Sequence, residues 1–379
     1  MKKIGIITYH NHNNYGTMLQ AYALQTLIDD LGYEAENINF IPDTSLSKSK
    51  LFLLRIKRLY VYIIERKKYI TLHNNQKNFN TRNEKFTEFY QRNIKTGNMY
   101  YKNTDELMSN PPIYDGYVVG SDQTWNPYAS NGPLAFLLPF VSESKKKGSY
   151  APSVAVSSLT DEQKNRFVKY LSDFNCLSCR EEEGSKLLES VLNREVTTVL
   201  DPTFLLSRDK WAEVFPDSDV KEEKYILTYF LGEKKEHRRF LKELSKKTGL
   251  KIVSIPASYL EMRDNEVEKK WVGPSGFLQL LDKAEIVCTD SFHGTALSIV
   301  FNKNFYSFCK TADSTETSEN SRLYNVLNQF ELFDRMINLQ TEVPDNLDDI
   351  DYEAVNKILE KRKNESMDYL INMLRSITE

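Results

Sequence analysis

A chain of 379 residues, 40% hydrophobic and 27% charged, suits a soluble globular protein of about two domains. Its formal net charge of −3 leaves no electrostatic footprint for nucleic acid. No stretch approaches the ~20 apolar residues needed to span a bilayer.

The first apolar run stops at Tyr9-His10-Asn11, too short for a signal segment, so it reads as a strand over Ile4–Thr8 and the protein is expected in the cytoplasm. A loop rich in Asn follows, Tyr9 to Gly16. A helix is predicted from Thr17 to Leu31, where Leu19, Tyr22, Ala23, Leu27 and Leu31 recur at helical spacing and Gly32 stops the run. Ala35–Phe40 alternates as a second strand, so the chain opens as a doubly wound domain. The Asn-rich loop offers amides and side chains at a strand end, which makes Asn14 and Tyr15, with Gly16, ligand candidates; a solvated turn with a helix cap is the plainer reading.

Residues 47–92 differ in character. Leu51–Ile64 is helical, apolar and basic. Such a segment packs on the domain with its lysines solvated, the preferred reading, or makes a peripheral contact with an anionic membrane surface through 47–70.

Ile113–Val119 reads as a strand running into Gly120-Ser121-Asp122-Gln123-Thr124-Trp125-Asn126-Pro127. Hydrogen-bonding side chains beside a Trp suit a sugar, with the ring on its C–H face and Ser121, Asp122 and Gln123 on hydroxyls. Thr160 with Gln163 makes a capping box for a helix to Phe174. Four cysteines are present, and Cys176-x-x-Cys179 lacks the second pair or nearby histidines of a zinc site, so these are read as strand and core residues and no metal is expected. Arg180 stands at the next strand–helix junction, where it clamps an anion or merely pairs with Glu181 to Glu183. Asp201-Pro202 is read as a turn.

An acidic stretch, 207–223, links to a second α/β unit with strands predicted at Tyr225–Phe230, Lys251–Pro256, Ile286–Thr289 and Asn304–Cys309. Between Thr289 and a run of small and apolar residues lies Asp290-Ser291-Phe292-His293-Gly294, a polar strand-to-helix turn. Ligands in open α/β sheets lie at such ends, and a helix N-terminus there offers N–H groups to anions. His293 is accordingly the main candidate for acid–base chemistry, with Ser291 and Gly294 beside it. The tail, Asp351–Ile377, reads as a long amphipathic helix crossing back onto the first domain.

The block Thr289-Asp290-Ser291-Phe292-His293-Gly294-Thr295 resembles the signature of the polysaccharide pyruvyl transferases, as do Asn13-Asn14-Tyr15-Gly16, the Gly120–Pro127 block and Asp201-Pro202-Thr203. The resemblance implies two Rossmann-like domains facing a cleft (GT-B-like), at 1–206 with a helical insertion at 47–92, and at 224–345, followed by the helix 351–379. It implies an enzyme that moves the enolpyruvyl group of phosphoenolpyruvate onto sugar hydroxyls as a ketal, for a surface polysaccharide or its lipid-linked precursor. Phosphoenolpyruvate is then the donor substrate, no cofactor is expected, Arg180 binds the donor and His293 moves protons. Better-known members carry an arginine where this chain has Ser291; Lys310 and Arg322 are candidates to replace it, with solvent-facing charge as the plainer reading of each. A glycosyltransferase using a nucleotide sugar and a non-catalytic glycan binder are the alternatives.

Overall fold

In the computed structural model the residues described are 1–42, 62, 66–129, 134–216, 224–232, 235–257, 262, 267–310, 320–338, 341–344 and 347–379. Most of the apolar, basic stretch expected at 51–64, and so the membrane contact proposed through 47–70, lies outside them.

The first unit runs β1 (Lys3–Ile7), α1 (Tyr15–Asp30), β2 (Glu34–Asn37), α2 (Arg66–Asn74), α3 (Gln76–Asn93), α4 (Thr104–Ser109), β3 (Gly116–Val119) and β4 (Lys147–Ser149). It continues through α5 (Asp161–Leu171), β5 (Ser178–Cys179), α6 (Glu182–Leu192), β6 (Thr197–Thr198), α7 (Pro202–Leu205) and α8 (Arg208–Ala212). Its sheet has the order β2-β1-β3-β4 with every pair parallel, and β5-β6 joins it through a bridge from Gly148 to Cys176. The alternating buried residues of β1, Ile4 and Ile6, pair with Ala35 and Asn37 on one side and Gly116 and Val118 on the other. Gly32 follows α1 with φ 87°, the left-handed turn a glycine takes at no steric cost. The capping box of Thr160 and Gln163 is formed.

The second unit runs β7 (Tyr225–Tyr229), α9 (Lys235–Thr248), β8 (Lys251–Ser254), β9 (Glu268–Lys269), α10 (Pro274–Lys283), β10 (Ile286–Thr289), α11 (Phe292–Val300), β11 (Asn304–Phe308), α12 (Ser321–Gln329) and β12 (Met336–Ile337). Its six parallel strands lie in the order β9-β8-β7-β10-β11-β12, the 3-2-1-4-5-6 arrangement of a Rossmann sheet. The molecule is thus α/β, two Rossmann-like parallel sheets whose loops meet, which is the fold class read from the sequence. In such sheets the ligand crevice lies where the strand order reverses. The reversals here fall between β1 and β3 and between β7 and β10.

The last helix, α13 (Tyr352–Thr378), lies on the first sheet. Its Met373 and Ile377 lie where side chains on Gly148 and Gly116 would stand. Tyr369 donates from its hydroxyl to Ser149 O at 3.1 Å, and Ser366 Oγ accepts from Leu200 N at 2.9 Å. Among the described residues, no helix is long and apolar enough to cross a membrane.

Tyr15 joins the two units. Its ring stacks on Phe277 at 4.6 Å and meets Tyr229 edge-on at 5.3 Å, while its hydroxyl donates to Val272 O at 2.7 Å. Arg208 adds a two-pronged bond to Asp282 at 2.6 and 2.9 Å on the surface.

Candidate active site

The loops after β1, β3, β7 and β10 come together. Asp290, at the end of β10, accepts from the amides of Leu231 (2.6 Å) and Gly232 (2.8 Å), which ties the loop after β7 to it. Burial pushes the Asp290 carboxyl up against the pull of those amides and of Lys310. Ser291 then caps α11, its hydroxyl accepting from Gly294 N at 3.3 Å.

The centre of the cluster is Asp201. One carboxylate oxygen caps α7, accepting from Thr203 N at 3.0 Å and Thr203 Oγ1 at 2.7 Å. The other, Oδ2, accepts from Ser121 Oγ at 2.5 Å and Arg180 Nη1 at 3.0 Å, and lies 3.7 Å from His293 Nε2. That last distance is too long for a hydrogen bond and is an ion pair when the imidazole is protonated. Burial would raise the Asp201 carboxyl; His293, Arg180 and Ser121 outweigh it and hold the group well below the usual carboxylate range.

Arg180 is buried between carboxylates. Its Nε donates to Glu181 Oε1 at 3.1 Å, an oxygen that also accepts from Ser153 Oγ at 2.7 Å, and its guanidinium lies 4.1 Å over the Phe292 ring. Both readings of Arg180 meet here: it pairs with Glu181, yet its Nη2 is buried with no hydrogen-bond partner among the described residues. His293 Nε2 is in the same state. Buried groups left unpaired are uncommon in native proteins.

The other sequence candidates divide. Gly16 sits against the His293 ring; a β-carbon there would stand 2.0 Å from Nδ1, so the glycine makes room for the imidazole. Ser121 is bound to Asp201 as described. Asp122 accepts from Thr17 Oγ1 at 2.9 Å and holds φ 67°, a left-handed conformation uncommon for a non-glycine residue. Gln123, with its amide turned so that the oxygen faces the cation, accepts from Arg322 Nη1 at 2.9 Å and Nη2 at 3.2 Å, a link from the first unit to the second. Lys310 lies within electrostatic reach of Asp290, and its amide donates to Asn320 Oδ1 at 2.7 Å.

Four expectations are corrected. Trp125 is 1% exposed and its indole N–H donates to Phe136 O at 3.1 Å, so the ring belongs to the core and presents no face to a sugar. Tyr15 is equally buried and serves the packing between sheets. Asn14 uses its side-chain oxygen as the α1 cap, accepting from Thr17 N at 3.2 Å. The Gly294 amide, expected to face an anion, donates instead to the Ser291 hydroxyl.

Asp201, Glu181, Thr17 and Phe292 were not singled out as site residues. For Asp201 a signal existed in Asp-Pro-Thr, but a turn accounts for that motif and conceals the second carboxylate oxygen.

Beside this cluster lie two spaces. A small one of about 10 Å³ touches Arg180, Asp201 and Phe292. A wider cleft of about 360 Å³ runs between the start of α6 and the face of α12. Glu181, Arg322 and Asn325 border both.

A family model for polysaccharide pyruvyl transferases matches residues 14–308, which include Asp201, Arg180 and His293. The chain belongs to the polysaccharide pyruvyl transferase family. Among curated proteins none matches it. Similar solved structures include the UDP-GlcNAc 2-epimerase of Methanocaldococcus jannaschii, in complex with UDP-GlcNAc and UDP, at 15% identity over 99% of both chains with a TM-score of 0.48. The UDP-GlcNAc 2-epimerase of Neisseria meningitidis, bound to UDP-GlcNAc, is 13% identical over 99% of both chains, with a TM-score of 0.46. A heptosyltransferase of E. coli is 12% identical over 95% of this chain and 99% of its own, with a TM-score of 0.36. At these scores the likeness bears on the ligand of neither half of this chain.

Proposed function

We propose that this pyruvyl transferase moves the enolpyruvyl group of phosphoenolpyruvate onto two hydroxyls of a sugar, free or lipid-linked, as a ketal for a surface polysaccharide. The observation that carries the reading is a pair of buried nitrogens with no hydrogen-bond partner among the described residues, Arg180 Nη2 and His293 Nε2. They are gathered around the Asp201 carboxylate, whose Oδ2 accepts from Arg180 Nη1 and lies 3.7 Å from His293 Nε2. A cation and an acid–base group held side by side in a nearly dry setting suit a donor that is anionic and must be protonated to react.

In the reaction, one sugar hydroxyl attacks C2 of phosphoenolpyruvate while C3 gains a proton and becomes the methyl group. Phosphate leaves with the electrons of the C2–O bond, and a second hydroxyl closes the ketal, its proton leaving with phosphate. Two hydroxyl protons are thus accounted for, one on the methyl carbon and one on the phosphate. His293 carries the proton between hydroxyl and enol carbon. Asp201 Oδ2, 3.7 Å from Nε2, keeps the imidazole in place. Arg322, at the inner end of the cleft, and Arg180 behind it supply the positive charge for the donor's carboxylate and phosphate.

The test is direct. The protein is incubated with phosphoenolpyruvate and sugar glycosides; released phosphate is measured, and the sugar is examined for an acid-labile pyruvate ketal. His293→Asn should lower turnover about 10²–10⁴-fold. In thermal-shift titrations phosphoenolpyruvate at about a hundred times its dissociation constant should add roughly 2.7 kcal/mol, and Arg322→Gln should weaken that effect. Stabilisation by a nucleotide sugar in place of phosphoenolpyruvate, with no phosphate released, would overturn the reading.

A further inference from the structure

We infer that the cleft between α6 and α12 is the seat of the acceptor, and that it takes a neutral pyranose ring; this rests on the pyruvyl-transfer reading above. The wall that α12 and the turn after it give the cleft carries an aromatic pair and two amides. Phe333 is 54% exposed, unusual for so large an apolar side chain, and its ring is stacked on Tyr324 at 5.7 Å with 27° between planes. The Tyr324 hydroxyl is held in turn at 3.5 Å from Cys309 Sγ, so the pair is fixed before any ligand arrives. An aromatic face of this kind suits the C–H side of a sugar ring.

Asn325 and Asn328 line the same cleft from neighbouring turns of α12. Neither side-chain amide makes a hydrogen bond to the described residues. Each carries both a donor and an acceptor, which is what a hydroxyl requires. Charge argues for a neutral ring: Glu181 is already paired with Arg180 and Arg322 is assigned to the donor, which leaves the Glu183 carboxylate on the cleft wall to repel a uronic acid. Size agrees: about 360 Å³ lies at the small end of the range for small-molecule sites, about 300–1,000 Å³, enough for one or two sugar rings.

The position suits the chemistry. Glu181, Arg322 and Asn325 border both this cleft and the small space at Arg180 and Asp201. A ring lying against Phe333 with its hydroxyls on Asn325 therefore points toward the donor end. The surface expected for the acceptor from the sequence, around Trp125, is closed by contrast.

The experiment uses the intact chain and methyl glycosides of glucose, galactose and mannose. Binding is followed by saturation-transfer difference NMR, and phosphate release is measured with phosphoenolpyruvate. Phe333→Ala should weaken glycoside binding and raise the acceptor KM about fivefold, while the phosphoenolpyruvate KM stays within about twofold. Phe333→Trp should restore binding, and Asn325→Leu should weaken it without touching the aromatic pair. Turnover with an acceptor KM unmoved by both Phe333→Ala and Asn325→Leu would overturn the cleft assignment and leave pyruvyl transfer standing. Glycoside binding that these variants weaken, with no phosphate released from phosphoenolpyruvate, would sink pyruvyl transfer and keep the cleft as a sugar site. Neither binding nor turnover in the wild type would remove both.

Discussion

The His293 ring rests against the backbone of Gly16, so closely that a β-carbon at residue 16 would lie 2.0 Å from Nδ1. The contact joins the first turn of α1, in one sheet's crevice, to the first turn of α11 in the other. The imidazole is positioned by both halves at once.

Gly16→Ala is the cleanest probe of that contact. In a helix, alanine ordinarily gains about 0.5–1 kcal/mol over glycine. Here the ring must move, so the melting temperature should fall and turnover should drop by about tenfold or more. A variant that is stabilised and fully active would show that His293 does not depend on this packing.

Asp201→Asn tests the hub. The side chain keeps its cap on α7 but loses the charge between Arg180 and His293. Breaking a buried pair costs about 3–5 kcal/mol, to be read from denaturant titration. The pH dependence follows from the depressed carboxyl. Its stabilisation is complete above the unfolded value, about 3.9, and is lost as pH falls below it toward the lower folded value. The wild type should therefore lose its advantage over Asp201→Asn below about pH 4; an advantage unchanged by acid would refute the assignment.

His10 predicts a separate acid step. Burial lowers its pKa from 6.5 to about 4, against the pull of the Ile38 carbonyl at 3.1 Å. Its folded form stays neutral where the unfolded chain is protonated. Stability is thus full above 6.5 and falls as pH drops toward about 4, below which this group adds no further loss. The difference amounts to about 3 kcal/mol. His10→Asn should flatten the stability profile between those values; an unchanged slope would count against a buried neutral ring.

Trp125→Phe separates core from site. Removing the larger ring and the bond to Phe136 O should cost about 1–3 kcal/mol. The acceptor KM should not change, because the indole does not reach the cleft. A raised acceptor KM with unaltered stability would restore the sugar-stacking role.

Much of this arrangement was legible in the residues. Parallel strands announce themselves as short apolar runs, and the turns after them as Asn, Asp, Ser and Gly, so the loops that build the crevice could be located at Asn14–Gly16, Ser121–Gln123 and Asp290–Gly294. Which side chains in those loops face the crevice could not. Trp125 and Tyr15 stand beside polar neighbours in sequence, yet the aromatic area they bury outweighs any surface role. Asp201 looks like an ordinary turn former because one of its oxygens is just that; only tertiary contact reveals Arg180, Ser121 and His293 around the other. The cleft proposed for the acceptor escaped for a similar reason. Tyr324, Asn325 and Phe333 come from a helix and the turn after it, and they meet α6 only when the two sheets face each other.

The placement of α13 has a consequence for biosynthesis. The glycines at 116 and 148 leave hollows on the first sheet that Ile377 and Met373 fill, and those residues are encoded after the entire second sheet. During translation the β3–β4 part of that face must wait uncovered until the ribosome has released almost the whole chain. Premature termination anywhere between the sheets and α13 would therefore yield not a smaller enzyme but a sticky nascent product, a substrate for chaperones.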